Sequence, residues 1–269
     1  LLPVNRFILF LVLCLPGAWS LAQATFPSDD LTPVGAERAG NKAGTIPPWT
    51  GGITQPPASY RPGYHETDPF PGDTPLFRID AGNADQYAEH LTPGQRALLE
   101  RYPETWYMNV YQSRRSASFP DFVYKGIREN AGSARVLMEG RGGVEGASVS
   151  SPFPRPASGV EVVWNHNLRF RGIRIKRVEG TAALTRAGRY TVVLSRQDWA
   201  FPYGLPHSVP FTERHPNVLL AIKSKTIEPS LLSGDGTLLF EMVNQTNDPR
   251  KVWVYPRALR RVLRSLLCA

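Results

Sequence analysis

Between Ile173 and Tyr255, apolar and polar residues alternate in short runs separated by turn formers. Ile173 and Ile175 alternate with Arg174 and Lys176, and strands are expected over Tyr190–Arg196, Asn217–Lys225, Thr237–Gln245 and Lys251–Tyr255. A period of two sends successive side chains to opposite faces of a strand. Ser233-Gly234-Asp235-Gly236 and Thr246-Asn247-Asp248-Pro249 supply turn chemistry between the later runs. Strands joined by short turns pair with their sequence neighbours, which favours an antiparallel meander. There is no strand–helix–strand alternation, so a doubly wound parallel sheet is disfavoured.

The helices are expected before this region. Asn83–His90 is one candidate, and Thr92–Arg101 a second, with Thr92 as N-cap and Pro93 at the first helical position. Thr105–Tyr111 reads as a strand, with Trp106, Met108 and Val110 on one face. Asp121 is expected to cap a helix through Asn130. Ser158-Gly159-Val160-Glu161 fits a capping box. The helix it opens is expected to run to about Phe170 and to turn Val160, Val163, Trp164 and Leu168 inward.

Two segments lie outside this body. Residues 1–24 have the parts of a secretory signal: Arg6, the apolar run Phe7–Leu15, and the small-x-small site Ala22-Gln23-Ala24. Cleavage is expected after Ala24. The run stops at Pro16-Gly17, short of the roughly 20 apolar residues of a membrane-spanning helix. Residues 25–75 hold ten Pro and seven Gly and no apolar period. Pro removes a backbone donor and Gly adds chain entropy, so regular elements are disfavoured. The segment is expected to be an extended arm that docks Trp49 on the body, with a loose linker as the alternative.

Composition narrows function by exclusion. Beyond the signal, 30 Lys and Arg stand against 23 Asp and Glu, a net charge of +7. Such a surplus suits nucleic acid, but export disfavours that partner, and anionic lipid headgroups or simple solubility fit better. Loss of Cys14 with the signal leaves Cys268 alone, so no intramolecular disulfide is expected. Gly140, Gly142, Gly143 and Gly146 miss the dinucleotide fingerprint, because Glu145 stands where glycine is needed and no strand is expected to feed the segment. Gly146-Ala147-Ser148-Val149-Ser150 lacks the closing glycine of a nucleophile elbow. Histidines at 65, 90, 166, 207 and 215 are scattered, with no metal-binding spacing. Asp198 and His207 lack a serine to complete a triad. Neither an enzyme nor a cofactor is expected.

Several motifs in order carry a resemblance. They are Asp30-Leu31-Thr32-Pro33-Val34-Gly35-Ala36-Glu37-Arg38, Ile46-Pro47-Pro48-Trp49-Thr50-Gly51-Gly52, Leu91-Thr92-Pro93-Gly94-Gln95, Gly143-Val144-Glu145-Gly146-Ala147, Trp164-Asn165-His166 and Asp248-Pro249-Arg250-Lys251-Val252-Trp253-Val254-Tyr255. Through them the chain resembles a large proteobacterial family of periplasmic proteins of unknown function, similar in fold to the LolA/LolB-type lipoprotein carriers. The resemblance implies an α+β fold: a curved, open antiparallel sheet, or half-barrel, with helices covering its concave face. It also implies an apolar cavity beneath those helices, a site in the periplasm at or near the outer membrane, and no catalytic residues. Companions implied by the family are a resistance-nodulation-division-type transporter and an outer-membrane protein.

On this reading residues 76–255 form the carrier domain, and residues 256–269 depart from the family. Leu259, Val262, Leu263 and Leu266 fall at helical spacing in a basic tail. A truncation or frameshift after Tyr255, leaving the sheet without its last strands, is the simplest expectation. The expected cavity lining is Trp106, Met108, Val110, Trp164, Leu168, Leu220, Ile222, Leu238, Phe240 and Met242. The same residues could instead pack as a dry core. Arg169, Arg171, Arg174 and Lys176 are candidates for contact with a headgroup or partner, or form a solvated strand face. The leading function is binding and shuttling a hydrophobic or lipid-like molecule between the two membranes. The alternative is a structural adaptor bridging a transporter and an outer-membrane protein, and its mark would be a filled sheet–helix interface with a large exposed apolar patch.

Overall fold

The structure is a computed structural model that describes residues 26–206, 210, 213, 215–246 and 248–265. The expected export segment, His207, Leu266 and Cys268 lie outside the described residues.

The fold is α+β, built on an open six-stranded antiparallel sheet. Its first two strands, Arg174–Leu184 and Tyr190–Ala200, and its third, Val218–Glu228, are each 11 residues long. Gly236–Met242, Lys251–Tyr255 and Leu263–Ser265 complete it. Each strand pairs with its sequence neighbour. That is the meander expected from short connections between alternating runs. The tail corrects the sequence reading. Its helical spacing is overridden by pairing, because Leu263, Arg264 and Ser265 lie opposite Val254, Trp253 and Val252. A three-residue strand gains ladder hydrogen bonds that its apolar spacing does not announce.

Four short strands precede the sheet. Phe77–Ile79 (β1) pairs with Met108–Val110 (β2), and Arg135–Leu137 (β3) with Gly143–Glu145 (β4). The six strands of the large sheet are therefore β5 to β10 in chain order. Only Met108–Val110 of the run expected from Thr105 to Tyr111 is strand, since its partner β1 is three residues long. A strand, β3, does precede the glycine cluster, contrary to expectation, but Gly143 itself belongs to β4, and no helix opens at the cluster as a phosphate loop needs. Gly143 instead serves close packing: at φ 106° it brings the β4 backbone onto β8's end, where a Cβ would lie 2.0 Å from the Val243 carbonyl oxygen.

Helix α1, Pro93–Arg101, has a reciprocal capping box. Thr92 Oγ1 accepts from the Gln95 amide at 3.3 Å, and Gln95 Oε1 accepts from the Thr92 amide at 2.9 Å. Asn83–His90 forms a 3-10 turn over Ala84–His90, kinked at Tyr87. Helix α2, Asp121–Ser133, is capped by Pro120 with no side-chain bond, so Asp121 lies in the first turn, where its charge suits the helix dipole. It buries Val123, Gly126, Ile127 and Asn130, a helical stripe. Val123 and Ile127 pack with Val149, and Asn130 ties down the following loop through the Ser148 carbonyl (2.8 Å) and amide (2.9 Å).

Helix α3, Gly159–Asn167, starts at Ser158, whose hydroxyl accepts from the Glu161 amide at 3.3 Å. The Glu161 carboxylate reaches back to the Ala157 amide, one residue before the cap, so only half of the expected box forms. The helix stops at Asn167, short of Phe170. Two turns present a narrow face: Leu168 is fully buried and Trp164 half-buried, while Val160 and Val163 remain exposed.

Residues 26–75 contain no helix or ladder strand. They are nevertheless docked. Trp49 is half-buried, and its indole Nε1 donates to the Ala117 carbonyl at 3.1 Å. Arg115 donates to the carbonyls of Glu37 (2.7 Å), Arg38 (3.2 Å) and Ala39 (3.3 Å).

Candidate functional site

Register sorts the sheet's side chains into two faces. Ile175, Trp199, Ile222, Leu239, Val252 and Ser265 form one row across all six strands. The next row, on the other face, is Lys176, Asp198, Lys223, Leu238, Trp253 and Arg264. Paired residues share a face, and residues one step along a strand do not.

The first face packs against Trp164 of α3, Leu168 just after it, and the segments around Val144, Phe201 and Tyr203. Leu168, Phe201, Tyr203, Leu219, Leu220, Val144 and Val243 form a buried cluster, with Trp164, Trp199, Ile222 and Leu239 packed around it. Tyr203 is buried within it, and its hydroxyl donates to the Ser150 carbonyl at 2.6 Å. Burial pushes that phenol far above its ordinary pKa. Beside α3 lies a largely polar cavity of about 340 Å³, bordered by Trp164, His166, Arg169, Arg171, Glu241 and Arg250. Glu241 is engaged there by Arg250 at 2.5 Å and by Gln245 Nε2 at 2.9 Å. Arg171 lies over the Phe201 ring at 4.9 Å, and burial, then the charge of Arg169, lowers its pKa.

The second face is buried at Met242, which shares a cavity border with Pro216 and Asn217, and is open further along, around Leu238 and Tyr255. Leu238, Trp253, Tyr255 and Val262 line an open groove of about 670 Å³, flanked by Arg196, Asp198, Lys223 and Lys225. Trp253 also borders a smaller cavity of about 350 Å³ with Val218, Phe240 and Met242. Phe240 meets the Trp253 ring edge-on at 5.8 Å. Val178, Leu184, Tyr190 and Val192 extend the exposed apolar surface of this face along β5 and β6. The groove volume falls within the range of small-molecule sites.

The expected lining residues do not form one cavity. Leu220, Ile222, Trp164 and Leu168 belong to the filled face, as core. Leu238, Phe240 and Met242 lie on the other face. Trp106, Met108 and Val110 are at the separate β1–β2 ribbon and belong to neither buried cluster. The four candidate cations also divide: Arg169 and Arg171 border the polar cavity, whereas Arg174 and Lys176 lie on β5, opposite Ala200 and Asp198. Asp198 faces Lys223 at 3.7 Å. The groove's Trp253, Tyr255, Arg196 and Lys225 were missed. Their alternation is visible in sequence, but the register that brings them together is not. Among the described residues there is no group of acidic, His and Cys side chains arranged to hold a metal, and no helix is long and apolar enough to cross a membrane.

A family described as a protein of unknown function (DUF1329) matches residues 78–265. The match runs past Tyr255 and takes in β10, so the segment expected to depart from the family matches it through residue 265. The chain is 38% identical over 248 residues to an uncharacterized protein of Pseudomonas aeruginosa, PA3922. That alignment covers 92% of this chain and 54% of the relative, so the chain spans about half the relative's length. No solved structure matches.

Proposed function

The chain belongs to the DUF1329 family of proteins of unknown function, and from that membership we propose that it is a non-enzymatic carrier of a hydrophobic or lipid-like molecule. The observation that carries the reading is the open groove of about 670 Å³ floored by Leu238, Trp253, Tyr255 and Val262. An acyl chain in water costs about 0.8 kcal/mol for each exposed CH₂, so an apolar trough with an open mouth both shelters such a chain and lets it leave. The export signal expected in residues 1–24 would set this activity in the periplasm. An open antiparallel sheet with one face covered also suits a LolA/LolB-type relationship, with one change. The helix-covered face is occupied by core side chains, and the ligand belongs on the opposite face.

A second reading is favoured by the same exposed face. A filled sheet–helix interface beside an uncovered apolar patch is what an adaptor between a transporter and an outer-membrane protein would present. Titration with N-phenyl-1-naphthylamine, an uncharged fluorescent probe of apolar sites, separates the two. The carrier reading expects saturable binding that Gly236→Val abolishes. A Cβ at Gly236 meets only ordinary contacts, 3.6 Å from the Ser224 oxygen and 3.7 Å from Tyr255 Cβ, so a side chain there can obstruct the trough between the cations and Tyr255 without a backbone clash at Cβ. Absent or unsaturable binding contradicts the carrier and favours the adaptor.

A further inference from the structure

Resting on that reading, we infer that the groove selects an amphiphile with an anionic head, held between Arg196 and Lys225. These two residues are register partners on β6 and β7, on the groove face. Like charges directly opposite one another across an antiparallel pair repel. Neither side chain has an ion pair among the described residues. The neighbouring step on the same strands is neutralised: Asp198 lies opposite Lys223, 3.7 Å away. Asp198 is also the groove's one carboxylate among the described residues, and it belongs to that pair. The sheet therefore places a dipositive step next to an apolar floor and leaves it without a counter-charge.

The row containing that step explains how a chain reaches it. Arg196 pairs with Lys225, Lys225 with Gly236, and Gly236 with Tyr255. Gly236 has no side chain, so nothing rises between the two cations and Tyr255. The trough runs from the charged step over Gly236 towards Tyr255 and Val262, with Leu238 and Trp253 in the adjoining row. A carboxylate or phosphate head meets a guanidinium, which can bind it through two parallel hydrogen bonds, and an ammonium, which acts as a point charge. The alkyl part then lies on the apolar floor.

Displacement of N-phenyl-1-naphthylamine tests this. The competitors are laurate, lauryl phosphate and uncharged monolaurin, with inorganic phosphate as a chainless anion. Laurate and lauryl phosphate are expected to compete roughly tenfold or more better than monolaurin, the size of a charge-assisted hydrogen bond. Arg196→Gln with Lys225→Gln should erase that preference by weakening laurate and lauryl phosphate more than monolaurin, and R196K with K225R should retain it. Equal competition by all three amphiphiles in the wild type, or a preference that survives the double Gln variant, overturns the anionic head while the carrier reading stands. Displacement by inorganic phosphate alone also overturns it, because the step would then be a simple anion site. If the probe does not bind, both the carrier and its head specificity fall.

Discussion

Leu238 and Leu239 are neighbours on β8 and point to opposite sides of one sheet. Leu239 packs against the cluster of Leu168, Leu219 and Leu220 beneath α3, whereas Leu238 is 37% exposed on the floor of the groove. The same alternation runs through the whole sheet, from Ile175 beside Lys176 to Val252 beside Trp253. What differs is the cover. Trp164 of α3, Leu168 and the segment around Phe201 and Tyr203 cover the first face around Leu219 and Leu220, leaving Ile175 at its edge exposed. The second carries fewer large apolar side chains, Leu238, Trp253, Phe240 and Tyr255 set among charged side chains, and it is open around Leu238 and Tyr255 while Met242 at its far end is buried. Apolar side chains left open among these charges are better explained by something that binds there than by the demands of folding.

Substitutions that separate the faces should rank in a definite order. Leu168→Ala is expected to cost about 2–5 kcal/mol, the usual penalty for emptying a fully buried leucine site, while Leu238→Ala should cost less than about 1 kcal/mol. Urea unfolding of the two variants checks this, and equal losses would break the contrast. Tyr203→Phe removes a buried hydrogen bond of 2.6 Å and should cost about 1 kcal/mol. It should also change the alkaline response. The folded state holds this phenol protonated, so its contribution is complete below its unfolded pKa of about 10 and is lost as pH rises beyond that. The variant should show a shallower loss of stability above about pH 10.

On the open face, Lys225→Glu replaces a repulsive cross-strand pair with an attractive one and should stabilise by about 0.2–1 kcal/mol. Thermal unfolding at low salt would show it, and destabilisation would contradict the paired, unneutralised arrangement of Arg196 and Lys225. Smallest of all, Gly236→Val should leave stability within about 0.5 kcal/mol while removing probe binding. A large stability loss there would mean that the groove is part of the core.

Local signals in the sequence carried well into the structure, and nonlocal ones did not. Thr92 with Gln95 and Ser158 with Glu161 mark helix starts because a cap is a contact across three residues. The strands of the meander were legible from their alternation, with ends that moved by a few residues, except that β5 continues past Lys176 to Leu184. β1 was not, since Phe77 finds its partner Val110 far along the chain and the two strands are too short to show a period. β10 was hidden for a similar reason: its leucines keep helical spacing, and the edge of β9 decides otherwise. The groove was half legible. Of the expected residues Leu238 lines it; Phe240 and Met242 share its face of β8 but border the smaller cavity, and only the register shows that Leu220 and Ile222 face the opposite side. The unneutralised pair of cations could be found only once β6 and β7 were aligned.

The central claim is that the uncovered face, and not the helix-covered one, receives the apolar ligand. Photocrosslinking of the wild-type chain with a diazirine-bearing fatty acid, followed by peptide mapping, addresses it directly. Adducts on Leu238–Phe240, Trp253–Tyr255 and Val262 are the expected result. Adducts confined to Trp164–Leu168 or Leu220–Ile222, or no adduct above a denatured control, would contradict it.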